Sequence, residues 1–511
     1  MSVPAVPHPE LESATIFELQ AAMAAGNLTA VRLVEEYLER IEALDRQGPQ
    51  LRSIIEINPD ALVVAAELDR ERQTRGPRGP LHGIPILLKD NIDTADRMHT
   101  TAGSLALLGS RPSLDATVAG KLRAAGAILL GKANMSEWAN FRSSHSASGW
   151  SARGGQAVNP HALDRTPCGS SSGSASATAA ALAAAALGTE TDGSILCPAS
   201  ANGVVGIKTT VGLVSRAGVI PISHSQDTVG PFGRTVADAA LLLGVIAGAD
   251  PRDPATQSGQ SGALDYTTFL DAGALRGARI GIARESFFGY SEKSDGVAEA
   301  AIATLRAAGA EVVDPANIPT AKSMQTSESE LAVLLYEFKA DLNTYLSALS
   351  PECEVHSLEE LIAFNTAHRD QEMPYFEQEH LEMAEAKGPL TEPAYLEALA
   401  ECRRLARDEG IDAIMQEKHL DALVMPTTGP AWKIDLIDGD HGLGGSSQPA
   451  ALAGYPAISV PAGYPFGLPV GITFMGRAFS ESRLISLAYA FEQAAKVYRP
   501  PRYAPTTTFG S

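Results

Sequence analysis

Hydrophobic and polar positions in the first part of the chain follow two different periods. Between residues 13 and 45, apolar residues recur at steps of three and four, which predicts amphipathic helices. Thr29 lies where this pattern breaks and is expected to cap the second helix. Short apolar runs at 83–88 and 127–131 predict buried strands, and the segment 116–125 before the second run predicts a helix. This alternation indicates an α/β fold.

A segment rich in Ser, Gly, Asn and Arg covers residues 140–174. A stretch of this length without regular structure inside a domain is usually functional. It leads into residues 175–187, which are nearly all Ala. There we expect one helix that packs at very close range, because its side chains are so small.

The second half of the chain predicts further strands and a large helical region. Strand character returns at 203–207, 279–283 and 422–426, and residues 325–415 are acidic with a helical pattern. Residues 249–263 form a polar connector rich in Pro, Gly and Ser.

Composition excludes several classes of function. The 511 residues include 60 acidic and 40 basic side chains, which gives a net charge of −20. An acidic surface repels phosphate backbones and anionic lipids, so we expect neither a nucleic-acid nor a membrane partner. The sequence has no apolar run long enough to span a bilayer and no basic segment before an apolar N-terminal core, which predicts a cytoplasmic protein.

Four cysteines, at positions 168, 197, 353 and 402, show no CxxC pair and no regular spacing. We therefore expect neither a disulfide framework nor a zinc site, and no metal or other cofactor. Cys197 is interpreted as a small buried residue, since cysteine often packs like a hydrophobic side chain.

The segment from Cys168 to Ser174 contains the most informative motif. Gly169, Ser171 and Gly173 match the GxSxG pattern of a nucleophile elbow, in which Ser171 would attack an ester. That interpretation needs a strand before the motif, whereas the preceding residues are loop-like and contain a proline. A flexible linker is the other simple interpretation, but linkers do not lead straight into a helix.

A different interpretation uses one serine from each Gly-rich turn and a lysine. In the turn from Thr191 to Ser194, backbone N–H groups can converge on a developing oxyanion, and Ser194 would be the nucleophile. Ser170 lies 24 residues earlier, a separation that fits a loop, a helix and a return. Lys89 ends an apolar run, where burial would keep its amine neutral and able to act as a base.

Three motifs occur together and in order: residues 83–91 (GIPILLKDN), 169–174 (GSSSGS) and 188–195 (GTETDGSI). On these motifs the chain resembles the amidase signature family, from about residue 14 to residue 497. The resemblance implies a large mixed β-sheet surrounded by α-helices. It also implies a triad in which Lys89 is the base, Ser170 the bridging serine after a cis peptide bond, and Ser194 the nucleophile.

The same resemblance implies the remaining site residues and the domain organisation. Backbone N–H groups of Thr191, Asp192, Gly193 and Ser194 would form the oxyanion hole, and Ser171 and Ala139 would border the substrate. Residues 1–511 would be one amidase domain, divided as follows: a signature core at 14–248, the connector at 249–263, a helical insertion lining the substrate side at 264–415, and the C-terminal part of the core at 416–497.

Smaller features indicate the substrate. Leu196 stands where many relatives have an arginine that can hold a carboxylate, which argues against small acidic substrates and against a component of a glutamyl-tRNA amidotransferase. The segments around Trp138 and Trp150 are similar to those of bacterial peptide amidases, which remove the C-terminal amide of peptides without cutting internal bonds. We therefore expect hydrolysis of a peptide amide or another small amide to an acid and ammonia, by a monomer or homodimer.

Other interpretations remain open at this point. A broad aryl or acyl amidase of the same family is the main alternative. Lys89 could instead reach solvent, as most lysines do, and the scaffold could be an inactive binding protein. His82 and His224 are interpreted as structural, and the two tryptophans either line a substrate channel or pack the long loop.

Overall fold

The computed structural model describes residues 6–257 and 264–507. Within these residues, eleven strands form one mixed sheet and two more form a small hairpin. In chain order the strands are β1 (Ile54–Ile57), β2 (Pro85–Lys89), β3 (Ile128–Ala133), β4 (Trp150–Ser151), β5 (Gly155–Gln156), β6 (Ala185–Glu190), β7 (Val205–Lys208), β8 (Thr228–Gly233), β9 (Arg279–Ile282), β10 (Glu311–Val313), β11 (Ala422–Pro426), β12 (Ala457–Gly463) and β13 (Val470–Met475). The large sheet has the order β1-β3-β2-β6-β8-β7-β12-β13-β11-β9-β10, and β4 pairs with β5.

Helices surround this sheet. They are α1 (Ile16–Ala24), α2 (Ala30–Arg40), α3 (Ala61–Arg75), α4 (Thr117–Ala124), α5 (Ser172–Ala179), α6 (Leu196–Asn202), α7 (Val236–Ile246), α8 (Glu292–Ala307), α9 (Ala321–Thr326), α10 (Ser329–Ser347), α11 (Leu358–Ala367), α12 (Arg369–Glu372), α13 (Glu379–Glu385), α14 (Pro393–Arg403), α15 (Asp412–Glu417), α16 (Gln448–Ala453) and α17 (Glu481–Ala495). π-Helical turns at Ile41–Arg46 and Arg404–Ile411 extend α2 and α14. The predicted α/β fold with helices around a mixed sheet is confirmed.

Most local predictions agree with these bounds. Thr29 caps α2, since its hydroxyl accepts a hydrogen bond from the N–H of Arg32 at 3.1 Å. The strands predicted at 83–88 and 127–131 are β2 and β3. Of the polar connector, the part up to residue 257 contains a short 3₁₀ turn, and residues 258–263 lie outside the described residues.

Strands β2 and β6 position the chemistry at the centre of the sheet. They are parallel neighbours, with Leu88 opposite Leu187, and every residue of both strands is buried. Lys89 is the last residue of β2 and Glu190 the last of β6, so both chains leave the sheet at the same edge. Ligands of open α/β sheets bind at the carboxyl ends of the strands.

The prediction of one helix over residues 175–187 is wrong. Helix α5 ends at Ala179, Ala181 adopts a left-handed conformation (φ 50°), and the chain resumes as β6 at Ala185. Alanine favours helix only weakly, and tertiary contacts override that preference.

The contact that ends this helix comes from Arg40, at the end of α2. Its guanidinium is fully buried and donates to the carbonyls of Ala180 at 2.7 Å and Ala181 at 2.8 Å. It also donates to the carbonyl of Pro7 and pairs with Glu12 at 3.2 Å. Arg40 thus satisfies carbonyl groups that the broken helix would leave buried without partners.

Both Trp138 and Trp150 pack the long loop. Trp138 is 2% exposed and Trp150 is 5% exposed. Trp150 lies edge-on to Phe376 with ring centroids 5.2 Å apart, and the Arg142 guanidinium lies over both rings. The loop is therefore held by an aromatic and cationic cluster that includes residues of the helical insertion.

None of the helices in the described parts of the chain is long and apolar enough to cross a membrane.

Removal of the Arg40 guanidinium should destabilise the whole molecule. Arg40→Ala leaves the carbonyls of Ala180 and Ala181 and the Glu12 carboxylate without their donor, so we expect the free energy of unfolding to fall by about 3 kcal/mol. Urea denaturation followed by circular dichroism measures this change. Arg32→Ala, on the same helix but half-exposed, is the matched control and should change stability by less than about 0.5 kcal/mol. Equal effects of the two variants would contradict the capping role of Arg40.

Candidate active site

Three side chains from separate parts of the sequence form a continuous chain of short contacts. Lys89 Nζ lies 2.8 Å from Ser170 Oγ, and Ser170 Oγ lies 2.8 Å from Ser194 Oγ. Lys89 comes from the end of β2, Ser170 from the loop before α5, and Ser194 from the turn between β6 and α6. The peptide bond between Gly169 and Ser170 is cis, as the resemblance implied.

The environment of Lys89 favours a neutral amine. The residue is fully buried, and burial lowers the pKa of its amine to about 7, although the charges of Asp227 and Glu190 act in the opposite direction. Nζ also lies 2.8 Å from Thr189 Oγ1 and 3.2 Å from the Thr189 carbonyl. A neutral amine can donate its two hydrogens to these two oxygens and keep its lone pair for the proton of Ser170.

The turn that follows β6 presents backbone donors beside Ser194. Within the described residues, the N–H groups of Asp192, Gly193 and Ser194 have no hydrogen-bond acceptor in the chain. Gly193 has φ 77°, and a Cβ there would lie 2.9 Å from Ser447 Oγ, so only glycine fits. Unpaired N–H groups in such a turn can stabilise a negatively charged oxygen.

Two buried carboxylates fix the ends of this turn. Glu190 accepts hydrogen bonds from the N–H groups of Ile195 at 2.6 Å and Leu196 at 2.9 Å. Asp227 accepts a hydrogen bond from Thr191 Oγ1 at 2.5 Å. Burial raises the pKa of Asp227 to about 6, and backbone N–H groups of the 222–227 loop oppose this shift. The donors beside Ser194 are therefore held from both sides.

Sequence reasoning missed four residues that support the three central side chains. Thr189 receives the lysine, Asn91 Nδ2 donates to Thr189 Oγ1 at 3.0 Å, and Glu190 and Asp227 hold the turn. Three of them lie inside the sequence motifs, and Asp227 lies in a segment that also matches the family. A rule that buried polar residues next to a predicted lysine base need partners would have found Thr189 and Asn91.

The structure places Ser171 and Ala139 differently from each other. Ser171 is fully buried, and its hydroxyl donates to the Thr189 carbonyl at 3.0 Å, so it is not part of the chain of contacts from Lys89. No strand precedes Ser171 directly, which weighs against the nucleophile-elbow interpretation. Ala139 adopts a left-handed conformation (φ 55°) and borders a cavity.

Two cavities lie beside the site. One, here called the Trp432 cavity, has a volume of about 360 Å³ and is bordered by Gly169, Gly193, Leu196, Trp432 and Asp440, among others. Asp192 also faces this cavity, and burial raises the pKa of its carboxyl.

The other cavity, here called the Tyr345 cavity, has a volume of about 430 Å³ and lies on the side of the lysine. Its border includes Asn91, Ala139, Thr189, Thr191 and Tyr345. Further apolar side chains of its wall come from residues 219–222.

The expectation that the cysteines form no disulfide is wrong. Cys168 and Cys197 are joined by a disulfide bond, with their Cα atoms 6.0 Å apart. Nothing in their spacing of 29 residues indicates the pairing, because β6 and the turn after it bring the two positions together. In the described parts of the chain, Cys353 and Cys402 are free and buried.

Comparison with known proteins gives a consistent result. A family model described as Amidase matches residues 32–485. A probable amidase from Arabidopsis thaliana is 45% identical over 96% of this chain and 92% of its own length. One component of the glutamyl-tRNA(Gln) amidotransferase from Chloroflexus aurantiacus is 36% identical over 95% of this chain and 97% of its own length.

Solved structures show the same similarity. The native peptide amidase from Stenotrophomonas maltophilia has a TM-score of 0.92 and 54% identity over 96% of this chain and 99% of its own. A peptide amidase in complex with the competitive inhibitor chymostatin has a TM-score of 0.93, also at 54% identity, over 96% of this chain and 99% of its own. An amidase family protein from Bacillus anthracis has a TM-score of 0.87 and 38% identity, over 96% of this chain and 93% of its own.

The geometry predicts which serine reacts with an electrophile. Ser194 is 7% exposed, whereas Ser170 and Ser171 are fully buried. A fluorophosphonate should therefore phosphorylate Ser194, since its hydroxyl alone among the three is both reachable and adjacent to a proton acceptor. Peptide mapping by mass spectrometry identifies the labelled residue. Ser174→Ala, which removes a buried hydroxyl from the same helix region, should label like the original protein. A label on Ser171 would contradict this assignment.

Proposed function

The chain belongs to the amidase signature family and is an amidase that resembles peptide amidases, and from this premise we propose that it hydrolyses the C-terminal amide of peptides. The products would be the free peptide acid and ammonia. The observation that carries the proposal is the continuous chain of 2.8 Å contacts from Lys89 through Ser170 to Ser194. Such a chain can move a proton away from a serine nucleophile without a histidine.

In the first half of the reaction, Ser194 Oγ attacks the amide carbon and forms the new C–O bond. Its proton passes to Ser170 Oγ, and the proton of Ser170 passes to the lone pair of Lys89. The negative charge that develops on the amide oxygen is stabilised by the unpaired N–H groups of Asp192, Gly193 and Ser194. The two hydrogen bonds to Thr189 keep the lysine oriented towards Ser170.

The second half returns the protons along the same path. Lys89 gives its proton to Ser170, and Ser170 delivers a proton to the amide nitrogen as the C–N bond breaks, so ammonia leaves and an acyl-enzyme on Ser194 remains. Water then attacks the acyl carbon, losing its proton through the same relay, and Ser194 is regenerated. Every step needs only the three side chains, the backbone donors and one water molecule.

We place the peptide in the Trp432 cavity. It borders Gly193 and Gly169 directly, and its wall offers hydroxyl and backbone groups of residues 427–428 and 444–447 that can pair with a peptide backbone. Among the residues described along this wall, none is Lys, Arg or His, and Leu196 lies there instead of a cation. An acidic acyl group would be desolvated without a partner, which costs several kcal/mol.

The remaining parts of the proposal follow from the sequence. We propose that residues 14–248 and 416–497 form one catalytic core, with 264–415 as a helical insertion. We further propose a monomer or homodimer that acts on peptide or small amides without a nucleic-acid partner. A cytoplasmic location stays a prediction, and the disulfide bears on it, because cytosolic reductants keep most thiols reduced.

A panel of amides tests the proposed substrate. We expect ammonia release from amidated peptides, with slower release from anilides, fatty amides and dicarboxylic monoamides, because the Trp432 cavity offers peptide partners and no cation. Ammonia is measured with a coupled assay, and mass spectrometry of the peptide should show a gain of 1 Da with no internal fragments. Ser194→Ala should abolish release, and Ser174→Ala should retain it. Comparable rates on anilides would favour the broad aryl or acyl amidase.

The pH dependence tests the role of Lys89. Since the lysine acts as a base only when neutral and its pKa is about 7, kcat/KM should rise about tenfold per pH unit below pH 7 and level off above it. Lys89→Ala should lower kcat about 10²–10⁴-fold, and its residual activity should lack the inflection near pH 7. An unchanged inflection in Lys89→Ala would assign the profile to another group.

A further inference from the structure

We propose that the Cys168–Cys197 disulfide is a positioning element of the active site, so that its reduction by a dithiol lowers turnover reversibly. This inference rests on the proposed function, because it assumes that Ser170 and Ser194 act together. Nothing in the proton relay itself involves the sulfur atoms.

The bond joins the two turns that carry the reacting hydroxyls. Cys168 directly precedes Gly169 and Ser170, and Cys197 lies three residues after Ser194 in the first turn of α6. The disulfide is therefore a covalent link across the same gap that the contact between the two serine hydroxyls spans at 2.8 Å.

Cys168 also has a backbone conformation that needs support. Its φ is 56°, in the left-handed region that residues with a Cβ rarely adopt. Its N–H donates to Thr166 Oγ1 at 3.0 Å, its carbonyl accepts from Ser172 Oγ at 2.6 Å, and its sulfur is fixed to Cys197. Reduction removes one of these three restraints two residues before Ser170.

Non-covalent contacts hold the turns in place only in part. The N–H of Ser171 donates to the Ser194 carbonyl at 3.2 Å, and Asn202 Nδ2 donates to the Pro167 carbonyl at 2.8 Å. These bonds should preserve the fold after reduction, while the spacing of the reacting hydroxyls becomes less fixed. Small displacements of reacting groups cost large factors in rate. Reduction should therefore lower kcat more than it raises KM.

The disulfide can be reached by a small reagent. Both cysteines border the Trp432 cavity, and Cys197 is only partly buried. A thiolate of the dithiol attacks Cys197 Sγ, the S–S bond breaks, and the Cys168 thiolate takes up a proton. The second thiol of the reagent then attacks the mixed disulfide and releases Cys197 as a thiol. Two electrons and two protons pass to the protein, and the dithiol becomes a cyclic disulfide.

The other cysteines do not confuse this measurement. Cys353 and Cys402 are 3% and 2% exposed. Burial raises the pKa of the Cys402 thiol to about 12, so it is a poor nucleophile near neutral pH. Thiols that become titratable in the folded protein on reduction are therefore those of Cys168 and Cys197.

The experiment compares the original protein with the double variant Cys168→Ala/Cys197→Ala, each with and without dithiothreitol. The measurements are titratable thiols, kcat and KM for an amidated peptide, the rate of fluorophosphonate labelling at Ser194, and circular dichroism as a check of the fold. On reduction we expect two new thiols, about a tenfold lower kcat with a smaller change in KM, slower labelling and an unchanged fold. Reoxidation should restore kcat.

The double variant should show the kcat of the reduced protein and no response to dithiothreitol, and Cys353→Ala should respond like the original protein. Two new thiols with unchanged kcat and labelling rate would overturn the proposal, as would a bond that dithiothreitol does not open in the folded protein. If amidated peptides are not hydrolysed at all, the proposed substrate fails, and the labelling rate still decides the role of the disulfide.

Discussion

The burial of one amine at the end of β2 is the constraint on which the rest of the site depends. Lys89 is enclosed in the centre of the sheet, and no carboxylate contacts its nitrogen within the described residues. Desolvation of an ammonium ion is costly, so the group loses its proton near neutral pH and becomes a base. A solvent-exposed lysine at the same position would stay charged and could accept no proton.

A buried neutral amine needs partners for all its valences, and the fold supplies them from the neighbouring strand. Because β2 and β6 run parallel, the residues that follow Leu88 and Leu187 leave the sheet side by side. Thr189 can then accept both hydrogens of the amine. Ser170 receives the lone pair because α5 packs very closely: a Cβ on Gly173 would lie 2.1 Å from the Ser53 carbonyl. The small residues of α5 are thus a requirement of the site as well as of the core.

The sequence predicts what is local and misses what distant residues impose. The apolar run before Lys89 indicates a buried strand with a lysine at its end, and motif spacing brings Ser170 and Ser194 forward as candidates. The end of α5 is invisible in an alanine-rich stretch, because the group that caps it, Arg40, comes from 140 residues earlier. The disulfide and the hydrogen bond from Thr191 to Asp227 escape prediction for the same reason. Each depends on where β6 and β8 lie in the finished sheet.

The absence of cations along the described wall of the Trp432 cavity acts on the product as well as on the substrate. Hydrolysis converts a neutral amide into a carboxylate at the point where Leu196 stands in place of a cation. An ionised carboxylate without a paired charge is less stable in such an environment than in water. The neutral substrate therefore binds better than the charged product, and the same feature that selects uncharged acyl groups also promotes release of the peptide acid. One residue choice next to the nucleophile would then serve both specificity and turnover.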